Sequence, residues 1–426
     1  MLAVIGVAFF VFGAFPSQND KPLAFVQGRV SIVALSLVCL LTYGFIIHPS
    51  QSLNSLRSLF RRNFNKLILL WFGLVNISAY LAPNRELAFL GSEWGQMGIL
   101  QLGLCIAVFL VGQLVFLEDK FWKCLSYGLL LMLFLTFLEC IGYKPLFWLP
   151  TVDGLPATTI GQRGHLAGFF AVTAGAAAYR RSYLSLLMSG LGIVLCNNTS
   201  AFLGFLILCL MLILLKEVSK REKWLIAVML FGITTLFANT SLITKDICHS
   251  VGHKNCIEIK DTTSANTISL RGRFEIWEAS IGMIKARPLF GWGDEQFESR
   301  WLSFLPTEKS KKVAKDFLGL PQSTPLEGDG PAYSYIGFDG KTHFGLVRNI
   351  HPHNAFLEEI QNHGVVAAAS LLLCFALIIK RQTRIIVYLV PYLIYLAAWF
   401  YLFSVTPMFF FLLGIFIRQE GGNINE

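Results

Sequence analysis

The chain has 426 residues, of which 54% are hydrophobic and only 14% charged, with 37 Phe and a mean hydropathy of +0.59. A soluble domain carries about 25% charged residues, so this composition argues against a water-soluble globular protein. The net charge of +9 reads as membrane topology rather than as nucleic-acid binding. The apolar residues form blocks bounded by Lys/Arg clusters, the pattern of an all-α polytopic membrane protein.

Taken in chain order, twelve apolar spans are predicted: 2–15, 23–48, 67–82, 95–117, 121–143, 164–179, 182–196, 200–215, 224–243, 364–379, 385–403 and 407–417. Several are short. The pairs 182–196/200–215 and 385–403/407–417 stay separate because the charges then fall into a consistent pattern. With a cytoplasmic N-terminus, sixteen of the 35 Lys and Arg lie in inside loops and five in short outside loops. The rest lie in the long segment 244–362, where the positive-inside rule does not operate. Both termini are therefore expected in the cytoplasm and 244–362 outside. The first span lacks a basic leader and a small-residue cleavage site, so it reads as a retained helix. Three regions follow: spans one to nine (1–243), an outside catalytic loop (244–362), and spans ten to twelve with a short tail (363–426).

Seven of the nine cysteines lie in apolar spans, where a thiol packs as a small apolar group. Cys248 and Cys256 lie outside, close in sequence, and are expected to form a disulfide. With His249 and His253 they also make a Cys/His-rich nonamer, so zinc ligation stays open.

Within the outside loop, Ser269 to Lys285 has the apolar spacing of an amphipathic helix containing Phe274, Ile276, Trp277, Ile281 and Met283. Arg287-Pro288 should end it, because Pro removes a donor and clashes with a continuing helix. Gly291-Trp292-Gly293 should then make a tight turn, and 306–348 reads as a polar lid. Helix resumes near Pro352, which suits a first turn. Arg271 and Arg273, flanking Gly272 just before the helix, would suit an anion. His351-Pro352-His353-Asn354 stands just before an apolar helix, so its imidazoles are expected at a membrane surface.

Three pieces of the chain resemble the O-antigen ligase and polymerase superfamily. One is Arg273-x₃-Trp277 followed by Pro288-Leu289-Phe290-Gly291-Trp292-Gly293. The second is His353-Asn354, nine residues, then Gly364, similar to the ligase motif. The third is Gly161-Gln162-Arg163-Gly164-His165-Leu166-Ala167, similar to an outside turn opening a mid-chain helix. The twelve-span layout with a large loop between spans nine and ten also resembles this GT-C-like family. The chain departs from the pattern in two places. Ala367 stands where the ligase motif has Gly, Thr or Tyr, and the turn Asn197-Asn198-Thr199-Ser200-Ala201 lacks an arginine. Arg163, on a neighbouring turn, is expected to supply that charge.

The resemblance implies an inverting glycosyltransferase of the bacterial inner membrane with its site facing the periplasm. It implies an undecaprenyl-diphosphate-linked glycan as donor, lipid A-core oligosaccharide as acceptor, and membrane lipids as surroundings. Glycosyl transfer needs a base for the acceptor hydroxyl and cations for the leaving diphosphate. His353 is the candidate base. Arg273 is the first diphosphate ligand, followed by Arg163, Arg271 and Arg348. His351 is a substrate contact, and Gln162 and Asn354 are hydrogen-bonding candidates. No Asp-x-Asp occurs, and the outside carboxylates Asp153, Asp294, Glu295, Glu358 and Glu359 are scattered along the chain. A mechanism without metal or cofactor is therefore expected. The competing readings are an O-antigen polymerase, a protein O-oligosaccharyltransferase, and a lipid-linked glycan transporter. The transporter fits less well, because polar residues concentrate in one loop and the two halves show no repeat.

Overall fold

The computed structural model describes residues 33–35, 57–91, 97–114, 119–143, 158–240, 270–328, 332–337, 340–347 and 351–419, with the side chains of 270–272 and 419 excepted. The first expected span, most of the second, Cys248, Cys256 and Arg348 lie outside the described residues. The other ten expected spans fall on helices. They are α1 (Asn63–Leu81), α3 (Ile99–Gly112), α4 (Asp119–Cys140), α5 (Arg163–Tyr179), α6 (Tyr183–Cys196), α7 (Thr199–Leu214), α8 (Lys220–Ala238), α12 (Ala355–Arg381), α13 (Ile385–Leu396) and α14 (Thr406–Gln419). A short α2 (Arg85–Leu90) follows α1. By length and composition α1, α4 and α12 can each cross a membrane, while α3, α6, α7, α13 and α14 are shorter apolar helices.

Local chemistry sets the breaks. Asn197 takes a left-handed conformation (φ 46°) that ends α6, and the Asn198 side chain accepts from Ala201 N at 2.9 Å to start α7. The expected pair 182–196/200–215 is therefore two helices. Ser219 and Glu222 form a reciprocal capping box at the start of α8. The expected span 385–403 is cut short: α13 ends at Leu396, and 397–405 turn inside the bundle, where Thr406 Oγ1 accepts from Leu402 N at 2.9 Å.

The bundle is centred on α5, which is buried along nearly its whole length. Its small residues do what their size permits: a Cβ on Gly175 would sit 2.4 Å from the Tyr388 carbonyl of α13. On the other side α3 and α14 cross through Gly112 and Gly414. A Cβ on Gly414 would lie 2.2 Å from the Phe109 carbonyl, so the two backbones touch.

The described residues from 270 to 347, read from the sequence as part of the outside loop, form a small folded unit. It contains α9 (Leu270–Ala286), α10 (Phe297–Arg300), a 3₁₀ turn (Trp301–Phe304), α11 (Thr307–Leu318) and an antiparallel hairpin of β1 (Ala332–Ile336) and β2 (Thr342–Leu346). Ile276, Phe297, Trp301, Val313, Ala314 and Tyr333 close a second apolar core, separate from that of the bundle. The stretch read as a polar lid is thus α11 plus the hairpin. Its alternating Ala332-Tyr333-Ser334-Tyr335-Ile336 is a period-two signal that marks the strand.

Replacing Gly414 with Ala should force α3 and α14 apart. Thermal unfolding in detergent should show a loss of about 1–3 kcal/mol, the usual cost of overpacking. An unchanged melting temperature would contradict the contact.

Candidate active site

The site is built around a break in α12. Gly364 has φ 80° and ψ 171°, which interrupts the helix. The backbone groups freed there find partners in the loop after α9. Trp292 N donates to Gln361 O at 3.0 Å and Gly293 N to Asn362 O at 2.8 Å, while Val365 N donates to Pro288 O at 2.8 Å. The loop thus takes up three of the backbone groups freed at the break. Only glycine fits the break. Its φ is left-handed, and a Cβ would lie 2.1 Å from the Leu289 carbonyl. Gly291 (φ 67°) makes the matching close approach to Asn362 O. The paired motifs at 288–293 and 364 are two halves of one backbone joint.

The joint gathers charge. His363 Nε2 lies 3.0 Å from Asp294 Oδ1, and its Nδ1 lies 3.1 Å from Glu359 Oε1. Trp71 Nε1 of α1 donates to the same Glu359 oxygen at 2.5 Å, and Ser280 Oγ of α9 donates to Gln361 Oε1 at 2.9 Å. Asp294, Glu295, Glu358, Glu359 and His363 share a cavity of about 20 Å³, room for about one water. The outside carboxylates, far apart in sequence, therefore converge, with Asp153 outside the described residues. Among the described residues no three His, Cys, Asp or Glu side chains are placed to hold a metal ion.

Above this layer stand three histidines around Trp399 and Phe400. His351 stacks on Phe400 with ring centres 4.0 Å apart. His353 meets Trp399 edge-on at 5.3 Å, and His165 meets the same ring at 6.2 Å. Gly164 makes room for the indole, since a Cβ there would lie 2.4 Å from the Trp399 ring. His353 itself is left-handed (φ 50°). Trp277 Nε1 pins its turn by donating to Pro352 O at 2.9 Å. Arg273 stands one helical turn before Trp277, within electrostatic reach of His353. The Arg273-x₃-Trp277 spacing thus puts an anchor and a cation on one face of α9.

The two neighbouring histidines sit in opposite environments. His353 is pulled down to about 3, first by burial, then by Arg273, His351 and His165. It is neutral and can accept a proton. Burial alone would also depress His351, but Glu358, 2.5 Å from Nδ1, outweighs it together with Glu295 and Asp294 and raises His351 above the ordinary histidine value. His351 Nε2 is buried without a protein partner.

The other expected site residues divide. Asn354 is the N-cap of α12, its Oδ1 accepting from Phe356 N and Leu357 N at 3.1 Å. Helix therefore restarts at Ala355 rather than at Pro352, because the Asn cap satisfies the first free N–H groups. Arg271 and Arg273 lie inside the first turn of α9 rather than before it. Gln162 occupies the N-cap position of α5 without a side-chain cap bond, and Arg163 opens that helix within electrostatic reach of Cys196. That places Arg163 beside the 197–201 turn that lacks an arginine. The sequence reading gave Glu358 no role beyond that of a scattered carboxylate and passed over His363, Trp399 and Phe400. Glu358 carried a usable signal, standing one helical turn after the Asn354 cap, where it can face back toward the preceding histidines.

Residues 184–372 match the family model described as O-antigen ligase. This match supports the resemblance of the chain to the O-antigen ligase and polymerase superfamily. Among curated proteins none matches the chain.

Replacing Gly364 with Ala should destabilise the joint by about 1–3 kcal/mol through the left-handed strain alone, with the backbone overlap added. Loss of activity and a lower melting temperature should appear together. A variant with wild-type stability and activity would show that the joint tolerates a side chain.

Proposed function

We propose that this chain, whose residues 184–372 carry the O-antigen ligase match, transfers a glycan from an undecaprenyl diphosphate to a hydroxyl of lipid A-core oligosaccharide, at the outer face of the bacterial inner membrane. The observation that carries the reading is the pair His351 and His353, one raised above and one held well below the ordinary histidine value, beside Arg273 at the Gly364 joint. Two titrating groups pushed apart by their surroundings form an acid and a base.

In this mechanism the acceptor hydroxyl attacks the anomeric carbon and gives its proton to neutral His353. The bond from that carbon to the diphosphate oxygen breaks, and the electron pair leaves with the diphosphate. Arg273, Arg163 and the His351 imidazolium stabilise the growing negative charge. A single displacement inverts the anomeric centre. Gln162 offers its amide to phosphate or sugar oxygens, and Arg271 and Arg348 are further cations for the donor. No step calls on a cofactor. An O-antigen polymerase would use the same groups with a second lipid-linked repeat as acceptor.

Transfer from purified undecaprenyl-diphosphate glycan to rough lipopolysaccharide, in detergent with EDTA, tests the reading. Wild type should transfer, and His353→Ala should fall by about a hundredfold or more, the usual size of a lost general base. Full transfer by the variant would remove His353 as base. Transfer only to a second lipid-linked repeat would identify the polymerase.

The pH profile should be bell-shaped, with the acid limb from His353 and the alkaline limb from His351. Glu358→Gln removes the charge that raises His351, so its alkaline limb should move to lower pH. Arg273→Gln removes a cation that depresses His353, so its acid limb should move to higher pH. Limbs that stay in place in both variants would refute the assignments.

A further inference from the structure

We infer that the end of the bundle opposite the histidines carries a binding site for an anionic glycerophospholipid, of the phosphatidylglycerol type, in the cleft between α4 and α5. The α5 helix starts at Arg163, beside the candidate site, and ends 17 residues later at Tyr179. The cleft, lined on α5 by Thr173 to Arg180, therefore lies about 15–25 Å away along the helix axis, at 1.5 Å per residue, and plays no part in the chemistry above. It has a volume of about 490 Å³.

Its rim is charged and its depth is not. Lys123 and Arg180 stand at the mouth with Asp119. Arg180 lies 3.6 Å from Asp119, whose side chain is 91% exposed, and covers the Trp122 ring at 4.9 Å. Such an exposed, long pair exchanges readily for a better partner. Lys123 has no ion pair among the described residues. Two cations against one carboxylate leave the mouth at +1, which complements a headgroup of net charge −1 rather than a zwitterion. Further in, Leu125, Leu129, Ala176 and Ala177 make apolar walls. A free anion has no use for such walls, whereas an acyl chain does.

The hydroxyls on the floor narrow the headgroup further. Ser126 Oγ donates to Trp122 O at 3.0 Å, so its 3.0 Å contact with Ser185 Oγ is donated by Ser185. Ser182 Oγ in turn donates to Ser185 Oγ at 3.0 Å. All three protons are used, two between the hydroxyls and one on the Trp122 carbonyl, and the oxygens keep lone pairs. They accept rather than donate. The phosphate must then be held by Lys123 and Arg180, and a headgroup that brings its own hydroxyl donors, as glycerol does, completes the contacts. In the topology read from the charges, this is the cytoplasmic leaflet.

The test uses the full chain, delipidated in detergent, with phosphatidylglycerol, phosphatidylcholine or inorganic phosphate added, read by native mass spectrometry and thermal shift. Phosphatidylglycerol should bind and raise the melting temperature, and the other two should not. Lys123→Gln with Arg180→Gln should weaken that binding by about thirtyfold, the effect of two surface cations. Lys123→Glu, at an exposed position, should weaken it with the fold intact. Equal stabilisation by phosphatidylcholine, an equal effect of phosphate alone, or an unchanged lipid preference in Lys123→Glu would each overturn the inference. Transfer activity should persist in Lys123→Glu, which separates this site from the histidines.

Discussion

The site depends on an exchange of backbone hydrogen bonds. An apolar helix cannot be broken in a low-dielectric setting without a cost of several kcal/mol for each unpaired group. Here α12 breaks at Gly364, and the 288–293 loop supplies the lost donors and acceptor from outside the helix. The exchange works only if two backbones come within touching distance, which is why glycine stands on both sides at 291 and 364. Everything at the site is registered to this joint. The loop brings Asp294 and Glu295, the upper half-helix brings Glu358, Glu359 and His363, and α1 closes the far side through Trp71.

This arrangement reconciles two demands that usually conflict. A catalytic base must be neutral and desolvated, while a leaving diphosphate needs fixed positive charge. Under the proposed reaction, burial and neighbouring cations lower His353 toward the first demand, and a buried carboxylate raises His351 toward the second only two residues away. The aromatic pair Trp399–Phe400 lies among the imidazoles, stacking on His351 and meeting His353 edge-on. The positions of these rings follow from α13 stopping at Leu396.

Much of the helical layout was legible in the sequence, because apolar blocks and basic clusters follow from membrane physics alone. The break at Asn197–Asn198 could be read from charge alternation, and the structure supplies its cause in a left-handed residue and an Asn cap. The end of α13 could not be read. Residues 397–405 are as apolar as the helix before them, so hydrophobicity carries no sign of a turn. His353, Arg273 and Gly364 were legible as a motif, but the motif is silent about geometry. The convergence of Asp294 with Glu359 and His363 depends on a joint between segments about seventy residues apart, and no local pattern encodes such a meeting. His165 was undervalued for the same reason: it lies beside a span, and only the packing of α5 against the 397–405 turn brings it to His353.

The two separate cores have a consequence for how such a protein can diversify. The core around Trp301 contains α11 and the hairpin but none of His165, His351, His353 and His363, and it meets the bundle through α9 and the 288–293 loop. Close-packed interiors transmit volume changes to their immediate neighbours. Trp292 belongs to that core and to the joint at once, so substitutions beneath the hairpin that leave Trp292 in place reshape the surface of the unit at a distance from Gly364. Under the proposed function, exchanges at exposed Phe344 and Ile336 of that hairpin leave proton transfer at the histidines alone, so recognition of a changing carbohydrate can drift while the chemistry that joins it stays still.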